Sequence, residues 1–224
     1  MKKWLVAVGL VAGLAAKPND SKAQTTWNHG QLVLNNSTIL EGELNYNWVA
    51  DVLQLKQSET TRAYSAQMIE AFTFFDRQSS VLRRFVRVDY PVKPTQTRPT
   101  VVEEIATGPC RIYRRLHKHR DLIRLGVPGL LVNETTNAKD VDDFDYIIYT
   151  NNGFMLFDQF RRELMPQMLA EFKPQLTEYL RTHQLDPNTT TTQLMLLIRY
   201  NNLKEDQDKT APMARREAIG AGED

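Results

Sequence analysis

Leu40-Glu41-Gly42-Glu43-Leu44-Asn45-Tyr46-Asn47-Trp48 alternates apolar or small residues with polar ones without a break. A period of two puts Leu40, Gly42, Leu44, Tyr46 and Trp48 on one face of a strand and the carboxylates and amides on the other. One face then lies in a core and the other in water, the habit of an antiparallel sheet.

The chain around this stretch extends the pattern. Residues 31–35 form a short apolar run that ends in the turn chemistry of Asn35-Asn36-Ser37. Further strands are expected at 52–56, 71–75 and 82–90, the last interrupted at Arg84, with a tight helical turn at 65–69. The stretch 91–99, rich in Pro, Thr and Gln, reads as an extended loop with few backbone donors. Two more strands are expected at 101–107 and 110–116, on either side of Gly108-Pro109. Strands at 145–151 and 154–157 flank Asn152-Gly153, the pair suited to a two-residue hairpin turn.

After this hairpin the period changes. Phe157, Phe160, Leu164, Met168, Phe172, Leu176 and Leu180 recur every three or four residues, the stripe of an amphipathic helix. Pro166 and Pro174 each remove a backbone donor, so the stripe is expected as short or kinked helices. A last helix should start near Thr189–Thr192, whose hydroxyls can cap free N–H groups, with a buried middle at 194–198. From Lys204 the charged tail holds little apolar surface and reads as disordered. The fold class expected is α+β: a largely antiparallel β body at 24–157, a short C-terminal helical segment at 158–203 packed on it, and a tail at 204–224.

Residues 1–23 read as a secretory signal peptide. Lys2 and Lys3 give the positive start, 5–16 the uncharged apolar run, and Ser21-Lys22-Ala23 the small-residue cleavage site before Gln24, with a cut after Ala16 as the alternative. The apolar run is shorter than the ~20 residues of a spanning helix, and no later stretch is long enough to cross a bilayer. With no cysteine near the cut, a lipid anchor on a processed amino terminus is excluded. The expected location is therefore the periplasm, cell surface or medium.

The chain carries 28 basic and 27 acidic residues; removing Lys2, Lys3, Lys17, Lys22 and Asp20 leaves 24 against 26, a net charge of −2. That balance argues against a polyanion partner such as nucleic acid. Cys110 is the only cysteine, so no internal disulfide can form, and a free Cys at a strand start is expected to pack as a small hydrophobe.

Chemistry-bearing residues concentrate at 111–124, which holds Arg111, Arg114, Arg115, His117, Lys118, His119, Arg120 and Arg124. Arg111, Arg114 and Arg115 are candidates for an anion site, because guanidinium groups bind phosphate or carboxylate bidentately; the alternative is a charged strand edge kept soluble. On a strand His117, His119 and Asp121 would share a face, the two imidazoles about 6.6 Å apart along the chain, giving three candidate metal ligands.

Other arrangements fail on spacing. Cys110 and His117 are too far apart on any regular element to act as nucleophile and base. Asp140, Asp142, Asp143 and Asp145 miss the calcium-loop template, with Phe144, Asp145 and Asn151 where it needs Asp or Asn, Gly and Glu. There is no Gly-x-Ser-x-Gly elbow, His-Glu-x-x-His pair or Gly-rich phosphate loop. Phe72, Phe74, Phe75, Phe85 and Phe157 read as core.

Gly30-Gln31-Leu32-Val33-Leu34, then residues 40–46, the Tyr64 to Phe72 turn into a strand, the Gly108 to Tyr113 strand and the late Arg199-Tyr200-Asn201 form a layout across residues 28–203. In this layout the chain resembles a group of uncharacterised exported envelope proteins of Bacteroidota-type bacteria. The resemblance implies an envelope protein with a β-rich body and helical end, and brings no catalytic residues or cofactor. The expected function is non-enzymatic binding of an envelope protein or glycan. A metal-dependent hydrolase using His117 and His119, and a module binding phosphate or acidic glycan, are the alternatives.

Overall fold

A computed structural model describes residues 26–77, 79–93, 95–117 and 141–220, with ten strands and three helices among them. The strands are β1 Asn28–Leu34, β2 Ile39–Asn47, β3 Val52–Gln57, β4 Thr60–Ser65, β5 Ile69–Asp76, β6 Val81–Lys93, β7 Gln96–Ala106, β8 Arg111–Leu116, β9 Phe144–Thr150 and β10 Gly153–Leu156. They form one antiparallel sheet in the order β10-β9-β8-β7-β6-β5-β1-β2-β3-β4. Three helices follow: α1 Phe160–Glu163, α2 Met165–Thr182 and α3 Thr190–Gly220. Among the described residues no helix is long and apolar enough to cross a membrane.

One connection forces the sheet to curl. β4 is an edge strand and β5 pairs with β1, so in a flat sheet β4 and β5 would lie four strand spacings, about 19 Å, apart. Ala66, Gln67 and Met68 alone join them; the four steps from Ser65 to Ile69 span at most about 14 Å even when extended. They are not extended, since the Met68 N–H donates to the Ser65 carbonyl at 2.9 Å. The sheet must therefore roll over itself. The roll passes through Gly30 and Gly42, which lie directly opposite each other on β1 and β2. A Cβ on Gly30 would collide with the Thr73 carbonyl and Phe74, and one on Gly42 would sit 2.5 Å from the Lys56 carbonyl.

Inside the roll Leu32, Leu44, Leu53, Leu55, Tyr64, Ile69, Phe72, Phe74 and Phe85 make the first core. Phe72 and Phe85 stack at 4.5 Å between centroids, and Tyr46 tilts against both. The expected face of β2 thus holds: Leu44 and Tyr46 are buried, with Leu40 and Trp48 packed at the margin. A second core lies between β8–β9 and the helices, where Ile112, Tyr146 and Ile148 meet Phe160, Leu164, Met168, Phe172, Leu176, Leu196, Leu197 and Tyr200. The helical stripe at 160–176 is therefore the face that is buried. A third, smaller cluster of Val102, Tyr113 and Ile147 occupies the opposite face of the sheet.

Prolines act as expected in the helical layer. Pro166 opens α2, and Phe172 leaves helical geometry (φ −133°, ψ 34°) just before Pro174. Thr189 caps α3, its Oγ1 accepting from the Thr192 N–H at 3.2 Å. The helix then runs past Lys204, where the tail was expected to begin, to Gly220. Lys204 itself is tied to Glu171 of α2 at 3.0 Å.

Four further details differ from expectation. β4 was not anticipated, because its sequence is polar and only Tyr64 is buried. β6 runs through Arg84 without interruption. The stretch 91–99 is not a loop but the far end of the β6–β7 hairpin. Among the described residues β6 has no β5 partner beyond Val86, and β7 has no β8 partner before Glu103. Pro91 and Pro99 thus lie where no neighbouring strand requires their missing N–H, which is where a sheet tolerates proline. In the last hairpin Thr150 pairs with Gly153, so the turn residues are Asn151 and Asn152, and Gly153 takes the positive φ (103°) at the head of β10.

Candidate functional site

A row of four alternating charges crosses the concave face where the two main cores meet. Asp76, Arg83, Glu103 and Arg114 come from the consecutive strands β5, β6, β7 and β8. Glu103 lies directly opposite Arg114 in the β7–β8 register and diagonal to Arg83 across β6–β7, two positions from its register partner Phe85. Arg83 grips Glu103 at two points, Nε to Oε1 at 2.7 Å and Nη2 to Oε2 at 2.9 Å. Arg114 Nε donates to the same Oε2 at 2.6 Å, and Arg83 Nη1 lies 3.5 Å from Asp76 Oδ2.

Aromatic rings roof the row. The Arg83 guanidinium lies 5.4 Å from the ring centres of both Trp48 and Phe85, and Arg114 lies 4.2 Å above Phe144. Trp48 touches Phe85 of the first core and Phe144 of β9, which borders the second. Beside it the Tyr46 hydroxyl meets Asp51 Oδ1 at 2.8 Å. Burial, with the Asp51 charge adding to it, raises the Tyr46 hydroxyl well above its ordinary range.

Burial alone would push the Glu103 carboxyl up. Hydrogen bonds and charge from Arg83 and Arg114 outweigh it and hold the group below its ordinary value. Glu103 is thus an anion through the neutral range, and its negative charge is shared by two cations. Such an arrangement fastens four strands and positions Trp48.

The basic stretch divides between the two faces. Arg114 faces inward to Glu103, while Arg111 and Arg115, odd-numbered on the same strand, face the other way. Arg115 donates to Asp145 Oδ2 from Nε at 3.2 Å and Nη2 at 3.1 Å, and lies 4.0 Å above the Tyr90 ring. Arg111, Arg114 and Arg115 therefore do not form one surface, and the latter two each hold a carboxylate of this chain.

Of the candidate metal ligands, His117 is at the end of β8 with Nδ1 2.5 Å from Asp145 Oδ1. A carboxylate behind one ring nitrogen is the arrangement that orients metal-binding histidines. His119 and Asp121 lie outside the described residues, as does Asp140 of the acidic stretch. Among the described residues no three His, Cys, Asp or Glu side chains gather as metal ligands.

At the helical end, Asn201 of α3 grips the β7–β8 turn. Its Oδ1 accepts from the Cys110 N–H at 2.9 Å, and its Nδ2 donates to the carbonyls of Cys110 at 2.7 Å and Thr107 at 3.1 Å. Cys110 is buried, as expected, and burial followed by the Glu171 charge pushes its thiol up to about 11.

The sequence signal for the charge row is faint but present. Arg83 alternates with Phe85, so it occupies a core-facing position of β6, and Glu103 stands two residues from Val101 on the corresponding face of β7. Comparison with family models, curated proteins and solved structures finds no match to this chain.

Proposed function

We propose that the chain is an exported protein of the cell envelope that works by binding a protein or glycan partner. The signal-peptide pattern at 1–23 and the resemblance to exported envelope proteins support the location. The observation that carries the binding role is the far end of the β6–β7 hairpin. Val88 and Tyr90 pack at its base, but Pro91, Val92 and Thr95–Arg98 are exposed, Val92 by 49%. This end contributes to neither main core, and it presents Val92 and Arg98 on a two-stranded ribbon held rigid by pairing from Arg87 to Lys93. Binding groups carried on a rigid scaffold are the usual design of a recognition surface.

The test replaces residues 91–97 by an Asn-Gly turn, which keeps Tyr90 opposite Arg98, and presents both proteins to immobilised envelope proteins and envelope glycans. Wild type should retain a defined partner, and the shortened variant should lose it with its thermal melt unchanged. Equal retention by both, or none by wild type, overturns the assignment. Export is checked separately by sequencing the amino terminus of protein recovered outside the cytoplasm, which should begin at Gln24. Recovery only inside the cytoplasm, with Met1 present, overturns that part.

A further inference from the structure

β4 ends the sheet on one side, and no strand among the described residues pairs with its outer edge. The two-residue turn Ser58-Glu59 closes on the pair Gln57 and Thr60. In such a hairpin the closing pair is hydrogen-bonded, and hydrogen-bonded pairs alternate from there. Thr60, Arg62 and Tyr64 therefore spend their backbone groups on β3, while Thr61, Ala63 and Ser65 turn theirs outward. Thr60, Thr61, Arg62, Ala63 and Ser65 are exposed, so none of the described residues covers this edge. The strand also lacks the usual blunting devices: it has no proline and no bulge, and its only charge is Arg62.

We infer that β4 pairs antiparallel with β4 of a second copy of this chain, about a two-fold axis through Ala63. The sequence selects that register. An axis through Arg62 would set two guanidinium groups directly opposite each other, which opposes pairing. An axis through Tyr64 would carry the paired segment past Ser65 into the turn that leads to β5. The axis through Ala63 places Ala63 against the partner's Ala63 and Thr61 against the partner's Ser65. It places Arg62 against the partner's Tyr64 on both sides of the axis. That register keeps the two guanidinium groups from facing each other while the Tyr64 rings stay buried in their own cores, and hydroxyl side chains pair well across strands. Ala63 at the centre lets the two backbones approach without a clash. The contact uses the same patch on both copies, so it closes at two and joins two ten-stranded sheets. This inference is independent of the binding role of the β6–β7 hairpin, which lies on a different strand pair.

Sedimentation of the purified protein from micromolar concentration upward tests it. Wild type should pass from monomer to dimer, and Ala63→Pro, which removes an outward N–H and leaves the β3 hydrogen bonds alone, should remain monomeric. Thr61→Pro, which removes a second outward N–H at an exposed position, should weaken the dimer at least tenfold without altering the circular dichroism. Ala63→Cys should form a disulfide-linked dimer on mild oxidation, since buried Cys110 does not compete, whereas Thr60→Cys should not. A wild type that stays monomeric throughout overturns the inference. So does a dimer indifferent to Ala63→Pro and Thr61→Pro, or one that Ala63→Cys fails to cross-link.

Discussion

Arg83 of β6 reaches diagonally across to Glu103 of β7 as a two-point fork, with Glu103 receiving a further hydrogen bond from Arg114. The Glu103 side chain is only 7% exposed, so its removal leaves two guanidinium groups in a half-buried seam without their shared anion. Glu103→Gln should cost about 3 kcal/mol of stability, the order found when one partner of a buried ion pair is taken away. Denaturant unfolding of the two proteins measures it; a loss below about 1 kcal/mol would place the pair among ordinary surface contacts.

The same group makes stability pH-dependent. The carboxyl of Glu103 is held below its ordinary value of 4.5 in the folded chain, so the unfolded chain binds its proton first as pH falls. Its contribution is complete above the ordinary carboxylate range and disappears as pH falls through the lowered folded value. The stability difference between wild type and Glu103→Gln should therefore be flat from neutral pH down to about 5 and shrink below that. A difference that persists unchanged in strong acid would remove Glu103 as the titrating group.

Asn201 is 2% exposed and makes three hydrogen bonds to the β7–β8 turn. Asn201→Ala strands a buried N–H and two carbonyls, at an expected cost of about 2–3 kcal/mol. Asn201→Asp keeps the acceptor for the Cys110 N–H but turns its second oxygen toward two carbonyls, so it should lose more. Hydrogen exchange at the Cys110 amide provides the local readout and should accelerate in both variants.

Cys110 should be inert in the native state. With its thiol pushed up to about 11 and its side chain buried, almost no thiolate is present or accessible at neutral pH. Iodoacetamide should fail to label the folded protein and label it fully in guanidinium. Rapid labelling of native protein would show the β8 end opening far more readily than its packing implies.

Two glycines should behave in opposite ways. Gly30→Ala drives a Cβ into the Thr73 carbonyl and should open the β1–β5 seam, with a loss above about 3 kcal/mol or failure to fold. At Gly153 nothing lies within 4 Å of the added carbon, so Gly153→Ala should cost only the positive-φ penalty of about 1 kcal/mol. Thermal melts of the two variants separate the steric cost from the conformational one.

Elements whose side chains announce their surroundings were legible in the sequence. The alternation at 40–48 and the three-to-four spacing at 160–176 map onto buried faces because burial itself imposes those periods. β4 was illegible for the same reason: an outermost strand with one buried residue has no apolar face to display. The stretch 91–99 misled because its prolines argue against a strand only where a second neighbour must be paired. The charge row could not be read locally, since Asp76, Arg83, Glu103 and Arg114 span 38 positions and meet only through register. The roll is likewise invisible until the strand order is known.

That strand order also sets how the chain can assemble. Seven of the nine strand pairings join consecutive strands across short turns, and each can form as soon as its own hairpin exists. The β1–β5 pairing differs: Leu34 meets Ile69, and Gly30 meets Phe74, only after the β2–β4 meander between them has been traversed. Contacts of such sequence separation carry the loop-closure entropy and slow the reaction. The pairing of Phe72 with Leu32 should therefore be the slow closure of folding, with β8–β9, joined across residues 117–143, the other long one. Between them they turn a ribbon of independent hairpins into a single cooperative body.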